Sequence, residues 1–139
     1  MKVAVQKDEL QKKLSDIQNI VEKKNTMPIL NHFLLTAEKG SAYITATDLE
    51  TAFKEPITLS IVEDGKMCIP ARKLFEIVRE MDGEMTLESI DSQWVKVKSG
   101  KSNFRLSCLS TDDFPVWPSF KTTDEIEIAS SLLLEMIDK

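Results

Sequence analysis

KMCIPARKLFEIVR, Lys66 to Arg79, changes its hydrophobic period halfway along. Met67 and Ile69 alternate with polar or small neighbours, as in a strand. Leu74 and Val78 then recur at helical spacing, after a proline at a position the first turn of a helix tolerates. The same phrase opens the chain. In KVAVQKDELQKKLSDIQNIV, Val3 and Val5 take the strand positions, and Leu10, Leu14, Ile17 and Val21 fall on one narrow helical stripe. The two copies align without a gap at their starts: Val3 with Met67, Val5 with Ile69, Leu10 with Leu74, Leu14 with Val78. Asp8 and Glu9 suit the first turn of the first helix, and Lys23 and Lys24 its last.

The residues after each copy are alike too. Beyond NTMPIL, with Pro28 as punctuation, HFLLTAE, AYITATD and ETAFKEPITLSIV read as three strands, the first two joined at Lys39-Gly40. Beyond Asp82-Gly83, MTLESI, WVKVKS and NFRLSCL read as three more. The pattern is strand–helix–strand–strand–strand, twice. STDDFPVWPSFKTTDE has no period and reads as a linker in which Trp117 is set between Pro115 and Pro118. Past that linker EIEIASSLLLEMIDK repeats the opening phrase a third time, with Ile126 and Ile128 in the strand and Leu133 and Ile137 on the helix. The offset of about 60 residues between copies is that of a repeat architecture. The expectation is a first domain over residues 1–120, then a linker and the start of a second domain over 121–139. The chain stops inside the third helix.

Composition narrows the function. With 139 residues, 42% hydrophobic and 29% charged, the chain has the make-up of a globular domain. No apolar run has the length of a membrane span, and MKVAVQKDEL is not a signal peptide, so a cytoplasmic, membrane-free protein is expected. Cys68 and Cys108 lie far apart among apolar neighbours, and His32 is the only histidine. That pattern gives buried thiols and no zinc site, and no cofactor is expected. A net charge of −5 means that any nucleic-acid surface must gather its cations on one face.

TATDLETAF, Thr45 to Phe53, poses the one question of chemistry, because Asp48 and Glu50 stand close together. They could be an acid–base pair or the mark of a strand–turn–strand junction. The sequence offers no histidine partner nearby, no glycine-rich phosphate loop and only four glycines. An aspartate at such a junction reads as a turn former, and no catalytic residue is assigned.

MPIL, TATDLE, IPARKLFEIVR, SGKSNFRLSCL and DFP, in this order and at these spacings, closely resemble the first domain of the bacterial sliding clamps, the beta subunits of the replicative DNA polymerase. The resemblance runs over essentially the whole chain. It implies an α+β DNA-clamp fold: two βαβββ units per domain, helices on the inner side, antiparallel sheets on the outer side. It further implies a non-catalytic processivity factor of DNA polymerase III. Two three-domain subunits would form a homodimer ring around double-stranded DNA and tether the polymerase without reading sequence. The peptide pocket for polymerase and clamp loader would lie in domains absent from this chain.

Carried over residue by residue, the resemblance assigns duplex contacts to Lys24 and Arg72, and with less support to Lys12, Lys23 and Arg79. Lys12, Ser15, Asn19 and Lys23 lie opposite the apolar stripe, although a charged helix face can also be simply solvated. The strand KSNFRLSCL is implied as the subunit interface. Phe104 and Leu106 would supply apolar contact there, with Lys73, Lys101 and Arg105 as charge partners. Asn103 stands where some members carry a basic residue. Phe104 and Leu106 could instead face the domain's own core, and a protein-interaction module without DNA is the alternative function. Trp94 reads as packing, and Met27, Met67, Met81 and Met85 as core filling.

Overall fold

The computed structural model describes residues 1–21 and 27–115. The third copy of the opening phrase, Trp117 and the lysines at 23 and 24 lie outside the described residues.

The order is β1 (Lys2–Gln6), α1 (Lys7–Val21), a 3-10 turn (Pro28–Asn31), β2 (His32–Glu38), β3 (Ser41–Thr47), β4 (Ala52–Pro56) and β5 (Ser60–Glu63). It continues with β6 (Gly65–Pro70), α2 (Ala71–Arg79), β7 (Glu84–Ser89), β8 (Trp94–Ser99), β9 (Ser102–Ser107) and a second 3-10 turn (Thr111–Asp113). Two antiparallel sheets result, ordered β5-β1-β7-β8-β9 and β4-β3-β2-β6. This is the expected α+β architecture.

The two repeats are not two separate lobes. The opening strand of the first unit, β1, pairs with β7 of the second, Val3 opposite Leu87 and Val5 opposite Met85. The opening strand of the second unit, β6, pairs with β2 of the first, Met67 opposite Leu35 and Ile69 opposite Phe33. Each sheet therefore holds the opening strand of the other repeat. Leu10, Leu14, Ile17 and Val21 of α1 and Leu74 and Val78 of α2 join the inward residues of both sheets in one buried cluster. The helices also touch end to end. The backbone N–H of Lys7, opening α1, donates to the Gly83 carbonyl at 2.8 Å, and its ammonium lies 3.4 Å from the Arg79 carbonyl that ends α2. A cation there offsets the negative end of the helix.

One element departs from expectation. ETAFKEPITLSIV, read as one strand, is two. β4 ends at Pro56, whose missing N–H cannot continue a ladder. The chain then crosses to the other sheet, where β5 pairs with β1. The second repeat makes the same crossing in miniature, since beyond β9 a single bridge ties Leu109 to Cys68 of β6. Met67, Met81 and Met85 are core residues as expected, but Met27 is exposed.

At the open edge of the four-stranded sheet, β4 turns Glu55 inward, opposite the buried Ile44. Lys13 of α1 meets it, Nζ donating to Oε1 at 2.8 Å, with both side chains largely buried. The hydrogen bond to Glu55 raises the Lys13 pKa above its ordinary value of 10.5. Its stabilisation is thus complete below pH 10.5 and is lost as pH rises through the raised value. In a double-mutant cycle with Lys13→Met and Glu55→Gln, denaturant unfolding should give a coupling of about 1.5–3 kcal/mol at pH 7, vanishing in strong alkali. A coupling near zero at pH 7 would remove the pair as the anchor of β4.

Candidate nucleic-acid interface and its flanking edge

Asp48 and Glu50 both lie in the turn between β3 and β4. Oδ1 of Asp48 accepts from the backbone N–H of Glu50 at 3.0 Å and of Thr51 at 2.6 Å. The Thr47 hydroxyl accepts from Leu49 N–H and donates to the Thr51 carbonyl, both at 3.0 Å. Side chains thus satisfy the backbone groups that the turn takes out of the ladder. Asp48 is buried, its oxygen committed to the turn, and Glu50 remains within the turn, since β4 starts at Ala52. Cavities of about 310 and 220 Å³ open beside the second 3-10 turn, and neither is lined by Asp48 or Glu50. Asp48 forms the turn, as its position suggested.

The thiols are equally quiet. Cys68 and Cys108 are free and buried; burial pushes the Cys68 thiol up to about 12 and raises Cys108 as well. Among the described residues no group of three or more His, Cys, Asp or Glu side chains is placed to hold a metal ion.

The helix layer carries the proposed duplex contacts. Lys12, Ser15 and Asn19 of α1 are exposed on the side away from the core, as the helical period requires. On α2, Arg72, Lys73 and Arg79 are exposed. Acids are interleaved with these cations. Asp8 and Asp16 stand four residues either side of Lys12, and Glu76 stands four residues after Arg72. Arg72 Nε lies 3.6 Å from Glu76 Oε1, with side-chain exposures of 82% and 61%. Two further cations of α1 face structural partners: Lys13 is held by Glu55, and Lys7 sits 3.7 Å from Asp82. Sequence reasoning passed over both. The signal for Lys13 was available: three residues after Leu10, it borders the apolar stripe, where a long side chain can run along the core.

The implied interface strand, β9, pairs only with β8 among the described strands, so its other edge is open. Here the structure separates two residues that the sequence treated alike. Leu106, opposite Val95, is 6% exposed and packs in the domain's own core, whereas Phe104, opposite Val97, is 40% exposed. Arg105 points to the other face, its guanidinium 5.2 Å from the Trp94 ring centroid. Trp94, expected to pack, is exposed on that face. Lys101 is exposed in the β8–β9 turn beside Gly100, whose φ is +57°. Lys73, in the first turn of α2, lies close enough to His32 for its charge to add to burial in lowering the histidine pKa, against the Pro28 carbonyl.

Two repeats that exchange their opening strands, one shared core and a helix layer of mixed charge define an α+β structural domain. Residues 1–118 match the family described as DNA polymerase III beta subunit, N-terminal domain, and the chain belongs to it. It is 35% identical over 142 residues to the beta sliding clamp of Caulobacter vibrioides and 32% over 141 residues to that of Pseudomonas aeruginosa. In each case all of this chain matches 38% of the relative. Of solved structures, a sliding clamp (DNA polymerase III subunit beta) from Bartonella birtlesii superposes with a TM-score of 0.87 at 34% identity. That match covers 99% of this chain and 37% of the clamp's. Pol III beta of Caulobacter crescentus gives 0.87 at 35% identity, over 100% and 38%. The chain thus spans under two-fifths of the length of these relatives.

Replacing Asp48 by alanine leaves two N–H groups without their acceptor and should cost about 2–3 kcal/mol in urea unfolding, with Asp48→Asn losing less. Leu49 stands beside it at φ +77° and 60% exposed. Leu49→Gly should raise stability by about 1 kcal/mol through relief of that backbone strain. A stable Asp48→Ala variant would show that the turn holds itself.

Proposed function

We propose that this chain is the first domain of a ring-forming clamp subunit that encircles duplex DNA and tethers the replicative polymerase without reading sequence. What carries the reading is the match of the whole first repeat pair to the clamp domain at a TM-score of 0.87 and 35% identity. The geometry supports it. The helices gather on one side of the shared core and present polar, exposed faces whose cations are balanced by acids. A surface of that kind attracts phosphate weakly and through counterion release, which suits sliding better than tight holding. The role is that of a non-catalytic accessory subunit in the cytoplasm, without cofactor.

On this reading Lys24 and Arg72, with Lys12, Lys23 and Arg79 beside them, approach the backbone of the duplex. The open edge of β9 meets another subunit of a homodimer, with Phe104 as its exposed apolar anchor and Lys73, Lys101 and Arg105 around it. Leu106 supports this edge from within. An unpaired strand edge carrying an exposed aromatic is an aggregation hazard unless a partner covers it. The domain ends near residue 120, residues 121–139 open the next domain, and polymerase and clamp loader bind elsewhere on the full-length protein.

Replacing Lys24 and Arg72 together by alanine in the full-length protein should weaken retention on circular DNA and flatten the salt dependence by about one unit per lost phosphate contact, with the melting temperature unchanged. An unchanged slope would place both residues away from the duplex. Phe104→Asp should shift the full-length protein from dimer toward monomer in sedimentation equilibrium, by at least tenfold in dissociation constant. A dimer of unaltered affinity would move the interface elsewhere.

A further inference from the structure

The least expected residue on the proposed DNA-facing helix is an acid. Glu76 lies near the middle of α2, four residues after Arg72, three after Lys73 and three before Arg79. On a helix those spacings bring all three cations to the neighbourhood of one carboxylate. With Arg72 the contact is explicit: Nε to Oε1 at 3.6 Å, on two side chains that stay mostly in water. The pair is not part of the core. Val78, Leu74 and Ala71 are the buried residues of this helix, so Glu76 has no packing duty. An exposed i,i+4 pair contributes a few tenths of a kcal/mol to the helix, too little for stability to depend on it.

We infer that Glu76 is the internal counter-charge of the α2 face: it holds Arg72 from within and competes with phosphate for it, which keeps the grip on DNA loose. This rests on the reading of the helix layer as the DNA-facing side. The physical reason is a matter of exchange. Without Glu76, Arg72 would stand unengaged, and each phosphate it met would gain a full charge-assisted hydrogen bond. With Glu76 present, a phosphate approaching Arg72 competes with a carboxylate that already neutralises it at 3.6 Å, so the net gain per contact falls. The exposure of the pair makes this exchange cheap in both directions. A clamp that must move along the duplex needs small and similar free energies at successive positions, and an internal acid supplies that levelling. The first repeat has the same spacing in reverse order. The repeat alignment sets Asp8 of α1 at the position of Arg72 and Lys12 at that of Glu76, so each helix carries an acid and a base one turn apart.

The test compares Glu76→Gln, Arg72→Gln and the double variant in the full-length protein loaded on nicked circular DNA. Asp64→Asn serves as a control for net charge, since Asp64 is exposed in the turn before β6, on another element. Gln matches Glu in helix propensity, so folding is preserved, and thermal melts verify it. Glu76→Gln should lengthen retention about three- to tenfold at moderate salt, steepen the salt slope by up to about one unit, and slow one-dimensional diffusion. Asp64→Asn should change none of these, and the double variant should behave as Arg72→Gln alone. If Arg72→Gln flattens the slope while Glu76→Gln matches the parent, Arg72 meets phosphate and the inference about Glu76 is wrong. If neither variant alters retention or slope, the α2 face does not meet the duplex, and the placement of DNA against this helix fails with it.

Discussion

Everything in this domain depends on the exchange of two strands. β1 runs into α1 with no loop between them, and β6 runs into α2 in the same way. Each helix therefore arrives tied to a strand, and that strand is hydrogen-bonded into the sheet of the other repeat. Separating the two units would expose Leu10, Leu14 and Ile17 on one side and Leu74 and Val78 on the other, all fully buried in the shared core. Burying such a side chain is worth about 1.5–3 kcal/mol, and a single repeat has too little sheet to do it. The unit of folding is the pair, and the pair fixes which faces remain outside.

The quasi-symmetry that results also shows where the two halves have diverged. Val3 faces Leu87 and Met67 faces Leu35, so Leu87 and Leu35 are equivalent; so then are Val97 and Ile44, and finally Phe104 and Glu55. These last two hold the same inward position on the outermost strand of each sheet. On the helices, Lys13 and Ile77 are equivalent by the same alignment. In the first half the position is closed by an ion pair within the domain; in the second an aromatic ring is left 40% exposed. One edge is finished from within, and the other presents an apolar side chain to whatever adjoins it. The residues one step further along, Ile57 and Leu106, are buried in both halves.

Burial separates two kinds of charge in this small protein. Lys13 and Glu55 sit 2.8 Å apart beneath the edge of a sheet, where water is scarce and a lost partner leaves an uncompensated charge. Arg72 and Glu76 are equally opposite in sign but remain in solvent, where pairing is weak and open to exchange. The first pair fastens a strand to a helix. The second leaves its cation available to a polyanion.

Local period and local chemistry were enough to specify the repeat, the helices and their buried stripes, the strands outside the crossing, the turn at Asp48 and the inertness of the cysteines. A helix or a turn needs only its own residues to declare itself. The exchange of first strands came from the assembled fold, because pairing between β1 and β7 joins residues far apart in the chain that carry no mark of their partner. Tertiary contacts also split the run Glu50–Val62 at Pro56, since β5 exists only where β1 offers it an edge. They set Leu106 inside and left Phe104 half out, although both alternate correctly on the same strand face, because the core shared by the two sheets reaches Leu106 and stops short of Phe104. They likewise committed Lys7 and Lys13 to partners on distant elements, which no helical wheel shows. Period tells which face of an element is apolar; only the neighbours packed against that face decide how much of it stays in water.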